Sequence, residues 1–187
     1  MNKQVWIEKA LGLGIQEFEI YQSTTVEKEM TWFQGQMDTL VSSKVTGTSI
    51  RGIVDGKMAN MALEEIDDSM CETVLKSLIE QAHIISNEET DSLRKPEPIE
   101  YAKKDVTWNM ASTEYVKDVL QSLEAKILAY DPRVIQVGYL GYSQGSGSRS
   151  IVNSLGMDVQ DADEMQYIVA SVVVKEEEEV KDASLVE

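Results

Sequence analysis

The sequence predicts an α+β fold: a mainly antiparallel sheet built from two groups of strands, covered by two long helices and one short N-terminal helix. Three observations carry that expectation. From Glu17 onward apolar residues fall two apart, as along a half-buried strand. Asp55-Gly56 sits between two strand-like runs, where an Asp-Gly pair suits a tight hairpin turn. Ser69 to Ser86 and Ser112 to Tyr130 instead place their apolar residues at helical spacing.

The first element is a short helix with a rough stripe of Val5, Ile7, Ala10 and Leu11, stopped by Gly12 and Gly14. A long strand follows. Phe18, Ile20, Val26, Met30 and Trp32 share one face, and Glu17, Glu19, Glu27 and Glu29 share the other, with a bend expected near Ser23-Thr24-Thr25. Gln34-Gly35 reads as a turn. Thr39 to Val54 is a second strand rich in Val, Thr, Ser and Ile, and Lys57 to Leu63 returns beyond Asp55-Gly56. Together they form an antiparallel meander.

Ser69 to Ser86 is a helix with Ser69 and Glu72 spaced as a capping box and an apolar face of Cys71, Val74, Leu75, Leu78, Ile79, Ala82 and Ile85. Asn87 to Tyr101, with Pro96 and Pro98, is a polar surface connection. Ser112 caps the next helix, whose stripe is Val116, Val119, Leu120, Leu123, Ile127 and Tyr130, and Asp131-Pro132 ends it. Arg133 to Tyr142 is then a strand, Ser143 to Ser148 a Gly/Ser-rich loop, Arg149 to Asn153 a short strand and Ser154-Leu155-Gly156 a turn. Tyr167 to Val174 is the last strand. Residues 1–174 make one domain. Lys175 to Glu187 reads as an acidic tail or as the first residues of a C-terminal region.

Apolar residues are 42% of the 187, enough for one sizeable core or two small lobes sharing one. A net charge of −16 disfavours direct contact with nucleic acid or with an anionic membrane surface. No long apolar run spans a bilayer, and no signal peptide is seen, so the cytoplasm is expected. Cys71 is the only cysteine, so no intramolecular disulfide can form.

No residue stands out as catalytic, cofactor-binding or metal-binding. His83 is the only histidine, which leaves a zinc site without its usual ligand set. Cys71 lies on an apolar helix face without a base within a helical turn. Gly145-Ser-Gly147-Ser-Arg149 lacks the Lys of a phosphate loop and the third glycine and following helix of a dinucleotide fingerprint. Glu176-Glu177-Glu178-Glu179 reads as a solvated run. The Glu17, Glu19, Glu27 and Glu29 face is a wet sheet face, or a face that receives a partner strand or peptide.

Several segments, in this order, resemble one family: Glu17-Phe-Glu-Ile-Tyr, Gly52-Ile-Val-Asp-Gly-Lys-Met-Ala, Ala129-Tyr-Asp-Pro-Arg-Val-Ile, Tyr142-Ser, Asn153-Ser-Leu-Gly-Met-Asp-Val and Tyr167-Ile-Val-Ala-Ser-Val-Val-Val. They are similar to the N-terminal domain of TldD/PmbA proteins, also described as modulators of DNA gyrase, and closer to the PmbA branch. The resemblance implies a role in proteolysis and peptide maturation within a metallopeptidase assembly that takes unfolded peptides. It implies a homodimer, or a heterodimer with a TldD-like subunit that supplies zinc through a His-Glu-x-x-x-His helix. This chain has no such motif, so no zinc ligand carries over and this segment alone is expected to be inactive. A stand-alone binding or regulatory module is the other reading.

Overall fold

The computed structural model describes residues 1–64, 66–86, 90–97 and 111–187. Its described residues hold three α-helices and six strands: α1 (Lys3–Gly12), β1 (Glu17–Phe33), β2 (Gln36–Val54), β3 (Lys57–Leu63), α2 (Cys71–Ile84), α3 (Thr113–Tyr130), β4 (Val134–Asn153), β5 (Asp158–Glu176) and β6 (Glu179–Val186). The strands form one antiparallel sheet in the order β3-β2-β1-β4-β5-β6. The fold is α+β, as expected, but the helices contribute less than expected. Only α3, at 18 residues, is long; α2 has 14 and α1 has 10.

The start of α2 explains part of that difference. The side chain of Asp67, not Ser69, makes the cap: its Oδ1 accepts the Ser69 N–H at 2.7 Å. That carboxylate holds a single 3-10 turn, Asp68–Met70, so the α-helix begins only at Cys71 and has no side-chain cap of its own. At the far end Ile85 is already extended.

The turns fall where expected. Gln34 and Gly35 have φ of 49° and 80°, and Asp55 and Gly56 have 50° and 76°, the left-handed pair that closes a two-residue hairpin with the right twist. β2 and β3 pair antiparallel from Val54↔Lys57 to Thr48↔Leu63. The strands themselves are longer than the sequence indicated. The Ser143 to Ser148 loop does not exist: β4 runs unbroken through it, because its small residues are flanked by inward-facing Leu140, Tyr142 and Gln144. Lys175 to Glu187 is not a tail. Glu177, at φ 54°, and Glu178 turn the chain, and β6 pairs back along β5 from Glu176↔Glu179 to Val169↔Val186. Of the connector, residues 90–97 are described, and 87–89 and 98–101 lie outside the described residues.

The contacts divide the described residues into two compact units, one within Met1–Thr24, Val45–Asp105 and Gly147–Ala162, the other within Thr25–Lys44, Val106–Ser146 and Asp163–Glu187. The first has a core of Trp6, Ile7, Ala10, Ile15, Phe18, Ile20, Ile50 and Val54 closed by Cys71, Val74, Leu75, Leu78 and Ala82 of α2. In α1 it is Trp6, not Val5 or Leu11, that anchors the buried face, and its indole N–H donates to Asp68 Oδ1 at 2.8 Å. The second core gathers Met30, Trp32, Val116, Leu120, Val137, Leu140 and Tyr142. Tyr130 leaves the expected α3 stripe and is exposed, while Glu124 is buried.

Gly52 is buried where β2 passes under α2. A Cβ there would lie 2.9 Å from Ile15 Cγ2 and 3.0 Å from Leu78 Cδ2. Gly52→Ala is expected to destabilise the chain by about 1–3 kcal/mol, the usual cost of overpacking. Urea denaturation measures it, and an unchanged midpoint would mean that Ile15 and Leu78 give way freely.

Candidate functional site

The residues that looked most chemical in the sequence are dispersed. Cys71 is buried, and that burial pushes its thiol pKa up, away from the reactive thiolate. His83 is largely exposed at the end of α2, with Nε2 3.7 Å from Asp55 Oδ2. Among the described residues no group of three or more His, Cys, Asp or Glu is placed to hold a metal ion, so the side chains present do not fit a zinc site. Gly145 to Arg149 is strand, and offers no loop to wrap a phosphate. Glu27 and Glu29 are exposed as expected, but Glu19 is not.

Glu19 is 3% exposed and is the centre of a polar network in the first unit. Its Oε1 accepts from Arg51 Nε at 2.7 Å and from Arg51 Nη2 at 2.6 Å, and its Oε2 from Asn153 Nδ2 at 3.2 Å. Asn153 Nδ2 also donates to the Arg94 carbonyl at 2.9 Å. Its Oδ1 accepts the backbone N–H groups of Leu155 at 3.0 Å and Met157 at 2.9 Å. The next residue joins in: Ser154 Oγ accepts the Phe18 N–H at 2.9 Å. Asn153-Ser-Leu-Gly is therefore a built turn that holds β1 to the end of β4, and its role is structural. Nearby, Glu17 Oε2 accepts the Leu93 N–H at 2.6 Å, which fixes the described connector against β1.

The second unit has its own buried carboxylate. Glu124 Oε2 accepts from Trp32 Nε1 at 2.8 Å and from the Gly35 N–H at 2.9 Å, tying α3 to the β1–β2 hairpin. At the other end of α3, the Ser112 side chain caps the helix and accepts from Tyr115 N–H. The residue before it is held on both sides: Ala111 N–H donates to Gln144 Oε1 at 3.1 Å, and Lys28 Nζ donates to the Ala111 carbonyl at 3.1 Å.

So anchored, α3 leaves one flank uncovered. Between it and β5–β6 opens a cleft of about 820 Å³, within the range of ligand-binding pockets. Val119, Leu123 and Ile127 form the helix wall, and Ile168, Ala170 and Leu185 the strand wall. Tyr115 links it to a second cavity of about 290 Å³ beside Tyr142, Gln166 and Tyr167. Burial raises the pKa of Tyr142, whose hydroxyl donates to Gln144 Oε1 at 2.7 Å. No titratable pair in the cleft is arranged for acid–base work; it is a surface for apolar side chains. The sequence signal for it was Val119 and Ile127 in the α3 stripe, but without β6 there was no second wall.

Two family models match the chain in order. Residues 18–86 match domain 1 of the PmbA/TldA metallopeptidases, and residues 107–185 match their central domain. The chain belongs to the PmbA/TldD family. Solved structures of the same fold include a candidate modulator of a DNA gyrase from Thermotoga maritima (TM-score 0.83, 18% identity) and TldE from Thermococcus kodakarensis (0.80, 18%). A candidate modulator of DNA gyrase from Bacteroides thetaiotaomicron is also similar (0.73, 18%). They cover 99%, 99% and 98% of this chain, which spans only 42%, 42% and 43% of theirs. At this identity the likeness concerns the fold alone. No curated protein matches. The matches do not separate the PmbA branch from the TldD branch. Among the described residues, no helix of this PmbA/TldD-family chain is long and apolar enough to cross a membrane.

Two predictions follow from the polar groups. Asn153→Ala strands part of Glu19 and two backbone N–H groups, and is expected to cost about 2 kcal/mol or more. Asn153→Asp, nearly the same shape, is also expected to destabilise, since it sets a carboxylate against Glu19. Thermal melts of both variants check this, and an Asp variant as stable as the parent would rule out the amide donor's role. The second concerns Asp131, whose carboxyl is held down to about 2 by hydrogen bonds from Arg133. Its folded pKa is below its unfolded value of about 3.9, so its contribution is complete above that value and lost as pH falls towards 2. Asp131→Asn is expected to flatten the fall in Tm between pH 4 and 2, and an unaltered slope there would contradict the pairing.

Proposed function

We propose that this chain is the N-terminal, non-catalytic portion of a PmbA/TldD-type protein acting in proteolysis or peptide maturation, as part of a cytoplasmic metallopeptidase assembly. The observation that carries the reading is the ordered pair of matches to domain 1 and the central domain of a metallopeptidase family. The likeness in fold to TldE supports it. His83 is the only histidine, so the zinc and its ligands are assigned to a TldD-like catalytic partner. The chain would pair with that subunit, or with itself, and help enclose an unfolded peptide. Its own contribution is shape: two packed units and an apolar cleft, with no acid–base or nucleophilic centre.

A second reading is a binding or regulatory module without enzymatic activity, favoured by the names of the Thermotoga and Bacteroides proteins. One experiment separates the two. Unfolded peptide is incubated with the chain alone, with a TldD-like subunit alone, and with both. Hydrolysis that a chelator abolishes and zinc restores is expected only when the TldD-like subunit is present, and faster with both. Chelator-sensitive turnover by the chain alone would overturn the non-catalytic assignment. No acceleration of the partner, together with a changed supercoiling rate for DNA gyrase, would favour the regulatory module.

A further inference from the structure

We propose that the open edge of β6 is a docking site for an extended, basic and apolar peptide segment, which adds to the sheet as a further strand and fills the α3 cleft with alternate side chains. The backbone register defines the edge. Ile168 and Glu187 exchange both N–H···O bonds, at 2.8 and 3.0 Å, so they are a hydrogen-bonded pair. Such pairs recur every second residue in an antiparallel ladder, which makes Leu185, Ala183, Lys181 and Glu179 the other β6 positions bonded to β5. Val180, Asp182, Ser184 and Val186 therefore turn their N–H and C=O groups away from β5. β6 ends the sheet, and all eight of its residues are exposed. It carries no proline and no bulge, two of the devices that usually blunt a free edge.

The cleft lies at this same edge. Side chains alternate across a strand, so Leu185 and Glu187 share the α3 side with Ile168 and Ala170, and all four line the cleft. Leu185 is 67% exposed there. Every second side chain of a strand laid along β6 would fall on that side, next to Leu185 and Ala183. The lengths agree: seven extended residues reach about 24 Å and the 18 residues of α3 about 27 Å.

Charge selects the occupant. Glu176, Glu177, Glu178, Glu179, Asp182 and Glu187 surround the edge, against Lys175 and Lys181. A second copy would bring the same acidic hairpin and a further net charge of −16. A segment alternating aliphatic residues with Lys or Thr meets both the apolar wall and the acidic rim.

The probe is a nine-residue fluorescent peptide alternating valine with lysine and threonine, titrated into the whole chain and followed by anisotropy. The expected result is saturable binding that weakens as salt rises from 50 to 300 mM (on the order of the salt range where such contacts are screened). N-methylation of the alternate amides that would bond β6 is expected to weaken it at least ~10-fold, since strand addition draws its affinity from main-chain bonds. Ser184→Pro removes one outward N–H and no bond to β5, and is expected to do the same with unchanged circular dichroism and Tm. Leu185→Glu, which charges the cleft, gives a second variant should the proline perturb folding. Absence of binding, equal affinity of the methylated peptide, or equal affinity of both variants overturns the proposal. So does a concentration-dependent dimer in sedimentation that Ser184→Pro abolishes, which would give the edge to a second copy. The measurement involves no turnover, so its failure leaves the metallopeptidase reading untouched, and the reverse.

Discussion

The buried carboxylate of Glu19 is the constraint on which the first unit depends. A charged group taken out of water is tolerated only when partners replace its hydration. Arg51 supplies two N–H groups to one oxygen and Asn153 supplies one to the other. Asn153 spends all four of its hydrogen bonds here: two donated, to Glu19 and the Arg94 carbonyl, and two accepted, from Leu155 and Met157. One amide thus shapes the β4–β5 turn while neutralising part of the cost of Glu19. β1, β2, the turn and the described connector are fixed to each other through two side chains. Apolar packing by Phe18 and Ile20 on the same strand supplies the driving force; the polar pair supplies the register.

The second unit uses the same device with different donors. Glu124 receives one indole and one backbone N–H on a single oxygen, and both come from the β1–β2 hairpin. Gly35, which the turn requires for its φ of 80°, is therefore also the residue whose N–H holds α3. The turn and the helix position are coupled through that one carboxylate. Its effect is to set how α3 lies over Met30 and Leu140, and so which flank of the helix stays open.

These two carboxylates show where sequence reading stops. Turns were legible because they depend on local chemistry: Asp55-Gly56, Gln34-Gly35 and Ser154-Leu155-Gly156 each fold where their residues place them. Helical stripes were legible in the middle and failed at the ends, where Asp67 caps in place of Ser69 and Tyr130 points to solvent. Glu19 and Glu124 were not legible at all. In a chain with 33 acidic residues, nothing local marks a buried one. Arg51 and Asn153 lie 32 and 134 positions from Glu19. Composition also misled at β4 and β6. Gly and Ser between Ser143 and Ser148 suggest a loop only if the strand must stand alone, and Glu176 to Glu179 suggests a tail only if no partner strand is at hand. β5 supplies that partner to β6, and the apolar cleft exists only because of it.

The two edges of the sheet are not alike, and the difference follows from what lies beside them. At the β3 edge, Met58 N–H meets Asp91 Oδ2 at 3.0 Å, and Asp91 N–H donates to the Gly56 carbonyl at 2.9 Å. The described connector thus satisfies the start of that edge from outside. β6 has no such neighbour among the described residues. Its protection is charge alone: Lys181 pairs with Glu179 at 2.9 Å, and the hairpin around it is strongly acidic. Charge of one sign repels a second copy of this chain but attracts a basic segment, so it discriminates among partners where proline or a bulge would exclude them all. An edge guarded in that way, bordered by an apolar cleft, has the two properties that strand addition requires: unsatisfied main-chain groups for affinity and a side-chain pocket for selection.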